Sequence, residues 1–184
     1  MMTPSNVANS VDVMLDLETV GIHPGCAILS IGACTLDQEH VFYQTVSLRS
    51  GLDRGLKQEH DTMSWWDRQS PEARLEAFSG TTSVMNACGE FYDWFRRLPA
   101  KKKFIWSNGA DFDIPILAEV YEACDMSKPW DPFNGRCYRT IKNLYKQVVM
   151  PETGGVRHNA LDDAVNQARH LVQILHEHHR RAYK

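Results

Sequence analysis

Asp16 and Glu18 stand two residues apart in a segment where apolar and polar residues alternate. Alternation with a period of two predicts a β-strand, so both carboxylates should project from one face, roughly 7 Å apart along the chain. At about 4 Å and an effective dielectric near 20, two such charges would repel each other by about 4 kcal/mol. A divalent cation removes this repulsion, and hard cations such as Mg²⁺ prefer carboxylate oxygen and water. Taken alone, the pair fits two solvated acids at a strand end better than a metal site.

Two further acidic segments follow in chain order, NGADFD ending at Asp113 and HNALDD running from His158 to Asp163. Histidine ordinarily has a pKa of about 6.5, so an imidazole can accept a proton near neutral pH. Periodicity does not separate Asp162 from Asp163, because both flank the apolar stripe of the predicted last helix about equally. Either carboxylate would favour a helix N-terminus. An isolated histidine in this position would fit a surface residue.

In this order, the three segments resemble the three motifs of the DEDD superfamily of 3′→5′ exonucleases. DLETVG matches Asp-x-Glu-Thr, NGADFD resembles Asn-x-x-x-Phe-Asp, and HNALDD resembles the His-x-x-x-x-Asp of the His-containing (DEDDh) subclass. The resemblance selects Asp113 over Asp111, and Asp163 over Asp162. A protein that only bound nucleic acid would have no use for this combination of four acids and a histidine.

Longer segments narrow the resemblance to one branch, the exodeoxyribonuclease VIII-type and small bacterial 3′→5′ exoribonucleases. The similarity extends from about Val11 to Leu175, through TMSWWDRQSPEAR, WSNGADFDIPIL, PWDPFNGRCYRT and HNALDDAVNQARHL. One departure stands out, because Cys137 occupies the place where this branch usually has an aspartate before Arg139-Thr140. The departure weakens the case for a substrate-binding role of this loop.

The resemblance implies two-metal hydrolysis of phosphodiester bonds, with two Mg²⁺ or Mn²⁺ ions stabilising the attacking and leaving oxygens. Asp16 is expected to bridge the ions, Glu18 and Asp163 to hold one each or position water, and Asp113 to reach the ion nearer the leaving group. His158 is the expected general base. The substrate would be the 3′ end of single-stranded or overhanging nucleic acid, DNA slightly favoured over RNA, and the products nucleoside 5′-monophosphates.

Five residues are candidates for substrate binding. By analogy, the turn at Thr19 and Val20 would contact the terminal nucleotide, through backbone amides and an apolar wedge. Trp66 could stack on a base, although one of the two adjacent tryptophans is equally expected in the core. Asn108 opens the second motif. Arg139 could meet a phosphate, and a solvated or structural arginine fits it as well.

The elements that must position these residues are predicted from periodicity and turn residues. Strands are predicted over 11–17, 27–36, 41–48 and 104–106, with a basic turn at 101–103 and a fifth strand near 136–138 implied by the resemblance only. Helices are predicted from 61 through 66, from 71, over 83–98, from about 115 to 124, over 140–148 and from 159, with a flexible loop over 151–155. The prediction is an α/β protein with the ribonuclease H-like fold, a central mixed five-stranded sheet flanked by helices.

The 184 residues suit a flexible leader over 1–10 and a single exonuclease domain over 11–184. The start has no basic or apolar region of a signal peptide. The five cysteines lack any CxxC pair, which favours buried reduced thiols and a cytoplasmic location over disulfides or a zinc site. No membrane association is predicted, and a homodimer is favoured over a monomer.

The net charge of −3 disfavours a protein that holds nucleic acid by charge alone. Nucleic acid would instead be a transient substrate whose phosphates are neutralised locally by the bound cations. Two alternatives remain open, a detached proofreading subunit of a polymerase and a non-catalytic nucleic-acid-binding module on a nuclease scaffold.

Overall fold

A computed structural model describes residues 8–151 and 158–182. The strands form one mixed sheet in the order β3-β2-β1-β4-β5, and they are β1 (Ala8–Thr19), β2 (Ile28–Thr35), β3 (Val41–Thr45), β4 (Ala100–Ser107) and β5 (Gly135–Cys137). The helices are α1 (Leu48–Leu52), α2 (His60–Trp66), α3 (Pro71–Phe78), α4 (Val84–Arg97), α5 (Asp113–Ala123), α6 (Tyr138–Leu144) and α7 (Ala160–Ala182). The predicted α/β class with a five-stranded mixed sheet is confirmed.

The central strand β1 is covered on both faces. It pairs antiparallel with β2 and parallel with β4. The alternation read from the sequence places Val13 and Leu15 in a core shared with α4 and α5, while Met14 points into a second core with α7. Because every residue of β2 is buried as well, the two strands form the rigid centre that carries the first acidic pair.

The start of α7 lies directly on the backbone of β2 at Gly32. A Cβ atom at this position would lie 2.1 Å from the carbonyl carbon of Ala160 and 2.3 Å from the amide nitrogen of Leu161. Only a residue without a side chain allows this approach. Since Gly32 pairs with Asp16 in the sheet, the glycine sets the distance between the first turn of α7 and the acidic pair on β1.

Several element boundaries differ from the predictions. β1 begins at Ala8 rather than near Val11, and β4 begins at Ala100, so the predicted basic turn at 101–103 is strand. Both extensions have the same cause, because Ala8 and Ser10 pair with Ala100 and Lys102, and this backbone ladder does not depend on side-chain character. The rest of the predicted leader and positions 152–155 of the predicted flexible loop lie outside the described residues.

Two further differences concern short elements. The third strand ends at Thr45 because Ser47 caps the five-residue helix α1, which the sequence analysis missed. The fifth strand, implied by the resemblance alone, is present over Gly135–Cys137 and pairs with β4.

The cysteines are free thiols, and four of them are buried as predicted. Cys137 is the exception, since it is half-buried at the end of β5. Of the helices within the described ranges, none is both long and apolar enough to cross a bilayer.

Replacing Gly32 with alanine should destabilise the protein by about 3 kcal/mol or more, because the new methyl group would push α7 away from β2. Gly89→Ala is the matched control, since a Cβ there would meet only Met126 Cε at 4.0 Å. That helical substitution should stabilise by about 0.5–1 kcal/mol. Urea denaturation of both variants checks this. Wild-type stability of the Gly32 variant would contradict the described contact between α7 and β2.

Candidate functional site

The first two acidic residues project from the end of β1 where its pairing with β4 has stopped. The β1–β4 ladder ends at Met14, so the backbone N–H of Leu17 is available to a side chain. It donates to Oδ1 of Asp113 at 3.2 Å. Asp113 is the first residue of α5 and is 2% exposed. One hydrogen bond thus holds the third carboxylate against the strand that carries Asp16 and Glu18.

The start of α7 brings the fourth carboxylate and the histidine to the same place. Asn159 caps the helix, since its Oδ1 accepts hydrogen bonds from the backbone N–H groups of Leu161 and Asp162. Asp163 lies in the first turn. Potential ligand atoms of Glu18, His158 and Asp163 lie within 4.8 Å of one another, and this is the one such metal-binding group found among residues 8–151 and 158–182.

His158 is held in an uncommon backbone conformation. Its φ of 65° lies in the left-handed region, which histidine adopts more readily than most residues. The ring packs edge-on against two tryptophans of α2, with centroid distances of 4.9 Å to Trp65 and 6.2 Å to Trp66. Packing and backbone conformation together aim the imidazole at the carboxylates, and such strain is typical of functional sites.

The carboxylates are held in an environment that opposes their charge. Burial, followed by repulsion from Asp113, Glu18 and Asp163, raises the pKa of Asp16 well above its usual range. Burial and the charges of Asp163 and Asp113 raise the pKa of Glu18 to about 8. Burial also raises the pKa of Asp113 to about 7, against the opposing effects of the Leu17 and Asp113 N–H groups and of Arg139. Without a bound counter-ion, the protonated form of these carboxyl groups is therefore favoured.

Gln167 is a member of the site that the sequence analysis missed. Its Nε2 donates to Oδ1 of Asp16 at 2.7 Å, and its own Oε1 is buried without a hydrogen-bond partner among the described residues. Gln167 follows Asp163 by four residues, so both project from the same face of α7. This four-residue spacing was the feature of the sequence that could have identified Gln167 as a member of the site. The orphaned amide oxygen is an unsatisfied acceptor on the same side chain that bonds Asp16.

The donor set fits hard divalent cations. Asp16, Glu18, Asp113 and Asp163 offer carboxylate oxygens, which Mg²⁺ and Mn²⁺ prefer over softer ligands. Burial raises the pKa values of the first three, and the charge of Arg139 offsets the rise only in part at Asp113. A bound cation would supply the missing positive charge.

Three of the predicted substrate-binding residues support the site from within. Val20 is 0% exposed and packs in the core, so the expected wedge against a base is wrong for this side chain. Trp66 is 1% exposed, and its indole N–H donates to the Thr19 carbonyl at 2.9 Å, which leaves no ring face for stacking. The Thr19 hydroxyl donates to the carbonyl of Gly21 at 2.7 Å. Alternation could not separate a surface turn from a buried one here.

A cavity of about 570 Å³ adjoins Glu18 and offers the apolar surface that Val20 does not. Its apolar lining includes Ile22, Trp65 and Phe112. Ile22 is 60% exposed and Trp65 is 36% exposed. These side chains, rather than Val20 and Trp66, can meet a flat apolar group beside the carboxylates. Trp65 was the other member of the tryptophan pair considered from sequence.

Asn108 and Arg139 lie together near Asp113, whose pKa the charge of Arg139 lowers. The Arg139 guanidinium donates to the Asn108 carbonyl, and Lys142, which the sequence analysis did not single out, donates from Nζ to Asn108 Oδ1 at 3.2 Å. Gly109 has a φ of 117°, and a Cβ there would lie 2.9 Å from the Arg139 guanidinium carbon. Two cationic side chains are thereby fixed next to the acidic group.

Comparisons with known proteins agree with this arrangement. A family model described as 3′-5′ exoribonuclease Rv2179c-like domain matches residues 11–175. The exodeoxyribonuclease of Enterobacteria phage T4 is 25% identical over 126 residues, 59% of this chain, and the chain spans about half (55%) of that relative's length. The nuclease domain of 3′hExo, a DEDDh family member bound to rAMP, has a similar fold, with a TM-score of 0.61, 16% identity and 95% of both chains covered.

The family match spans the sheet, the acidic group and the start of α7. The five residues selected by motif resemblance are those that the fold brings together or electrostatically couples. The chain therefore belongs to the Rv2179c-like 3′-5′ exoribonuclease domain family.

Proposed function

We propose that this protein removes nucleotides one at a time from the 3′ end of single-stranded or overhanging nucleic acid and releases nucleoside 5′-monophosphates. The observation that carries the proposal is the buried acidic group at the end of β1. Burial raises the pKa values of Asp16, Glu18 and Asp113, and the charges of neighbouring carboxylates raise the first two further. His158 and Asp163 lie beside Glu18. Because the negative charge of these buried carboxylates is unfavourable without a counter-ion, the group is suited to binding cations.

The four carboxylates would hold two divalent cations, Mg²⁺ or Mn²⁺. When bound, these ions supply a nucleophile from water and stabilise charge on the attacking and leaving oxygens. Asp16 is suited to a shared ligand because it interacts with all three other carboxylates. Gln167 orients Asp16 by its hydrogen bond, and Leu17 orients Asp113. These two contacts keep the ligand oxygens in place before substrate arrives.

His158 is proposed as the general base that accepts a proton from the attacking water. Its ring lies at the half-buried rim of the group, with ligand atoms of Glu18 and Asp163 within 4.8 Å. The edge-on contacts with Trp65 and Trp66 limit rotation of the ring. A proton taken up here can pass to solvent, because His158 is not enclosed.

The 3′-terminal nucleoside is proposed to enter the cavity between Ile22, Trp65 and Phe112. Aromatic and apolar side chains stack on any base, so the contact suits an enzyme that degrades mixed sequences. Arg139 and Lys142, held by Asn108, would contact phosphate oxygens near Asp113. Substrate would therefore lie across the end of β1.

We propose RNA as the preferred substrate. The sequence motifs had slightly favoured DNA, so this proposal reverses that preference. The family description that matches residues 11–175 names RNA. The relative whose name refers to DNA matches over 59% of this chain. Recognition of RNA requires contacts to the 2′-hydroxyl, and paired substrates of one sequence measure this preference directly.

Incubation with 5′-labelled RNA and DNA of matched sequence should produce a ladder that shortens from the 3′ end. The ladder should require Mg²⁺ or Mn²⁺ and should disappear with a chelator. Asp113→Asn should slow the reaction by more than about a hundredfold, because metal-assisted charge stabilisation is worth several kcal/mol. Gel electrophoresis of timed samples gives the rates.

Asp111→Asn is the matched control, since Asp111 is exposed and lies outside the motif pattern. It should retain activity close to that of the wild type. No metal-dependent shortening of either strand, from folded protein also offered duplexes with 3′ overhangs, would reject the proposal and favour a nucleic-acid-binding module.

His158→Gln should lower kcat by about 10²–10⁴-fold, the usual contribution of a general base, with little change in Mn²⁺ affinity. Single-turnover rates and Mn²⁺ titrations separate these two effects. His60→Gln, an exposed histidine at the start of α2, should change neither. If Mn²⁺ affinity fell in proportion to kcat, His158 would be a metal ligand rather than the base.

A further inference from the structure

A row of cationic and aromatic side chains leads away from the site along the β4–β5 edge of the sheet. We call it the cationic strip, and it comprises Lys102, Phe104, Phe133, Arg136, Arg139 and Lys142. β5 is the last strand of the sheet, so no further described strand covers this edge. Arg139 and Lys142 already have a proposed role beside the carboxylates, whereas the other four side chains of the strip do not.

Side-chain contacts connect the residues of the first half of the strip. Phe104 lies between two cations, with Lys102 Nζ 4.9 Å and the Arg136 guanidinium carbon 4.3 Å from its ring centroid. Arg136 also donates to the carbonyl of Phe133 at 3.2 Å. Phe133 itself is 88% exposed. A large aromatic ring is therefore presented to solvent beside two fixed positive charges.

The other half of the strip reaches the acidic group. Lys142 Nζ lies 5.2 Å from the ring centroid of Tyr138, the residue that follows β5. Lys142 and Arg139 both donate to Asn108, which directly follows β4. The charge of Arg139 lowers the pKa of Asp113, so the strip ends beside a proposed metal ligand.

None of these cations forms an ion pair with an acidic side chain in the described parts of the chain. The ion pairs found there involve other arginines and His23. Lys142 is also close enough to Arg139 for that charge to lower its pKa, after the larger effect of burial. Like charges kept together in a chain of net charge −3 favour an anionic ligand at this edge.

We propose that the cationic strip binds the single-stranded part of the substrate that lies 5′ of the reacting nucleotide. The inference rests on the proposed function, which places the 3′ end among the carboxylates. From Lys102 to Ser107, β4 extends about 17 Å, room for on the order of five nucleotides at about 3.4 Å per stacked nucleotide. Arg136, Arg139, Lys102 and Lys142 contact phosphates, and Phe133 stacks on a base.

The strip should therefore matter for long strands and not for the shortest substrate. In Lys102→Gln/Phe133→Ala, both altered side chains are exposed, so the fold should be retained. This variant should lose roughly tenfold or more in kcat/KM on a single strand of about 20 nucleotides, the cost of one stacking contact and one phosphate contact. Hydrolysis of a dinucleotide should be unchanged. Lys57→Gln, an exposed lysine beside the start of β2, is the control and should match the wild type.

Binding provides a readout that does not depend on catalysis. Anisotropy of the labelled strand, measured in chelator to prevent hydrolysis, should show a Kd raised roughly tenfold in the double variant. The slope of log affinity against log salt should fall in magnitude by about 0.7 for Lys102→Gln, the loss of one phosphate contact. Phe133→Ala should leave that slope unchanged.

Equal losses on the dinucleotide and the long strand, or no loss on either, would overturn the proposed role of the strip. If the wild type hydrolysed neither substrate, the proposed function would fail, and binding would still test the surface. In that case a Kd unchanged by the double substitution would overturn it, and a raised Kd would support it.

Discussion

The burial of several carboxylates close to one another is the constraint on which this structure depends. The pKa of Glu18 is about 8 in the folded chain, compared with about 4.3 for an unperturbed glutamate. The folded, cation-free protein therefore binds protons that the unfolded chain releases, and it loses stability as the pH rises through this interval. The rest of the fold must hold the group together against that cost. Cation binding removes the cost, so it couples occupancy of the site to stability.

The scaffold meets this demand by placing the acids on rigid elements. Two of them stand on the central strand of the sheet, covered by a core on each face. Asp113 is fixed to that strand by the hydrogen bond that its carboxylate accepts from the Leu17 backbone N–H. Asp163 lies on α7, whose first turn packs against Gly32, the residue paired with Asp16. The absence of a side chain at Gly32 of β2 is thus as important to the site as the presence of the carboxylates on β1.

The sequence was sufficient for elements defined by strong periodicity or by clear caps. It predicted the alternation of β1, the amphipathic helices α4 and α7, and the start of α3 at Pro71. It did not predict that β4 begins at Ala100, because pairing with β1 overrides the lysines' low strand preference. Motif resemblance gave the acidic residues. Periodicity alone could not separate Asp163 from Asp162, since that choice depends on how α7 is rotated against the sheet.

Substrate-binding residues were harder to predict, because exposure decides the role of an apolar side chain and is set by tertiary packing. Val20 and Trp66 proved to be buried supports, while Ile22 and Trp65, their close neighbours, reach the cavity. Gln167 was hard to predict for a similar reason, because its hydrogen bond to Asp16 joins residues 151 positions apart in the sequence. Such long-range contacts leave little trace in a local pattern. The cationic strip likewise combines segments from β4, β5 and α6.

The central claim is that cations replace protons at a preorganised acidic group. Calorimetric titration with Mn²⁺ in buffers of different ionisation enthalpy measures this exchange directly. With a pKa of about 8 at Glu18 and about 7 at Asp113, binding at pH 7 should release about one proton or more per chain, and release should decline towards pH 9. Mn²⁺ binding without proton release at pH 7, or no binding at all, would contradict the account.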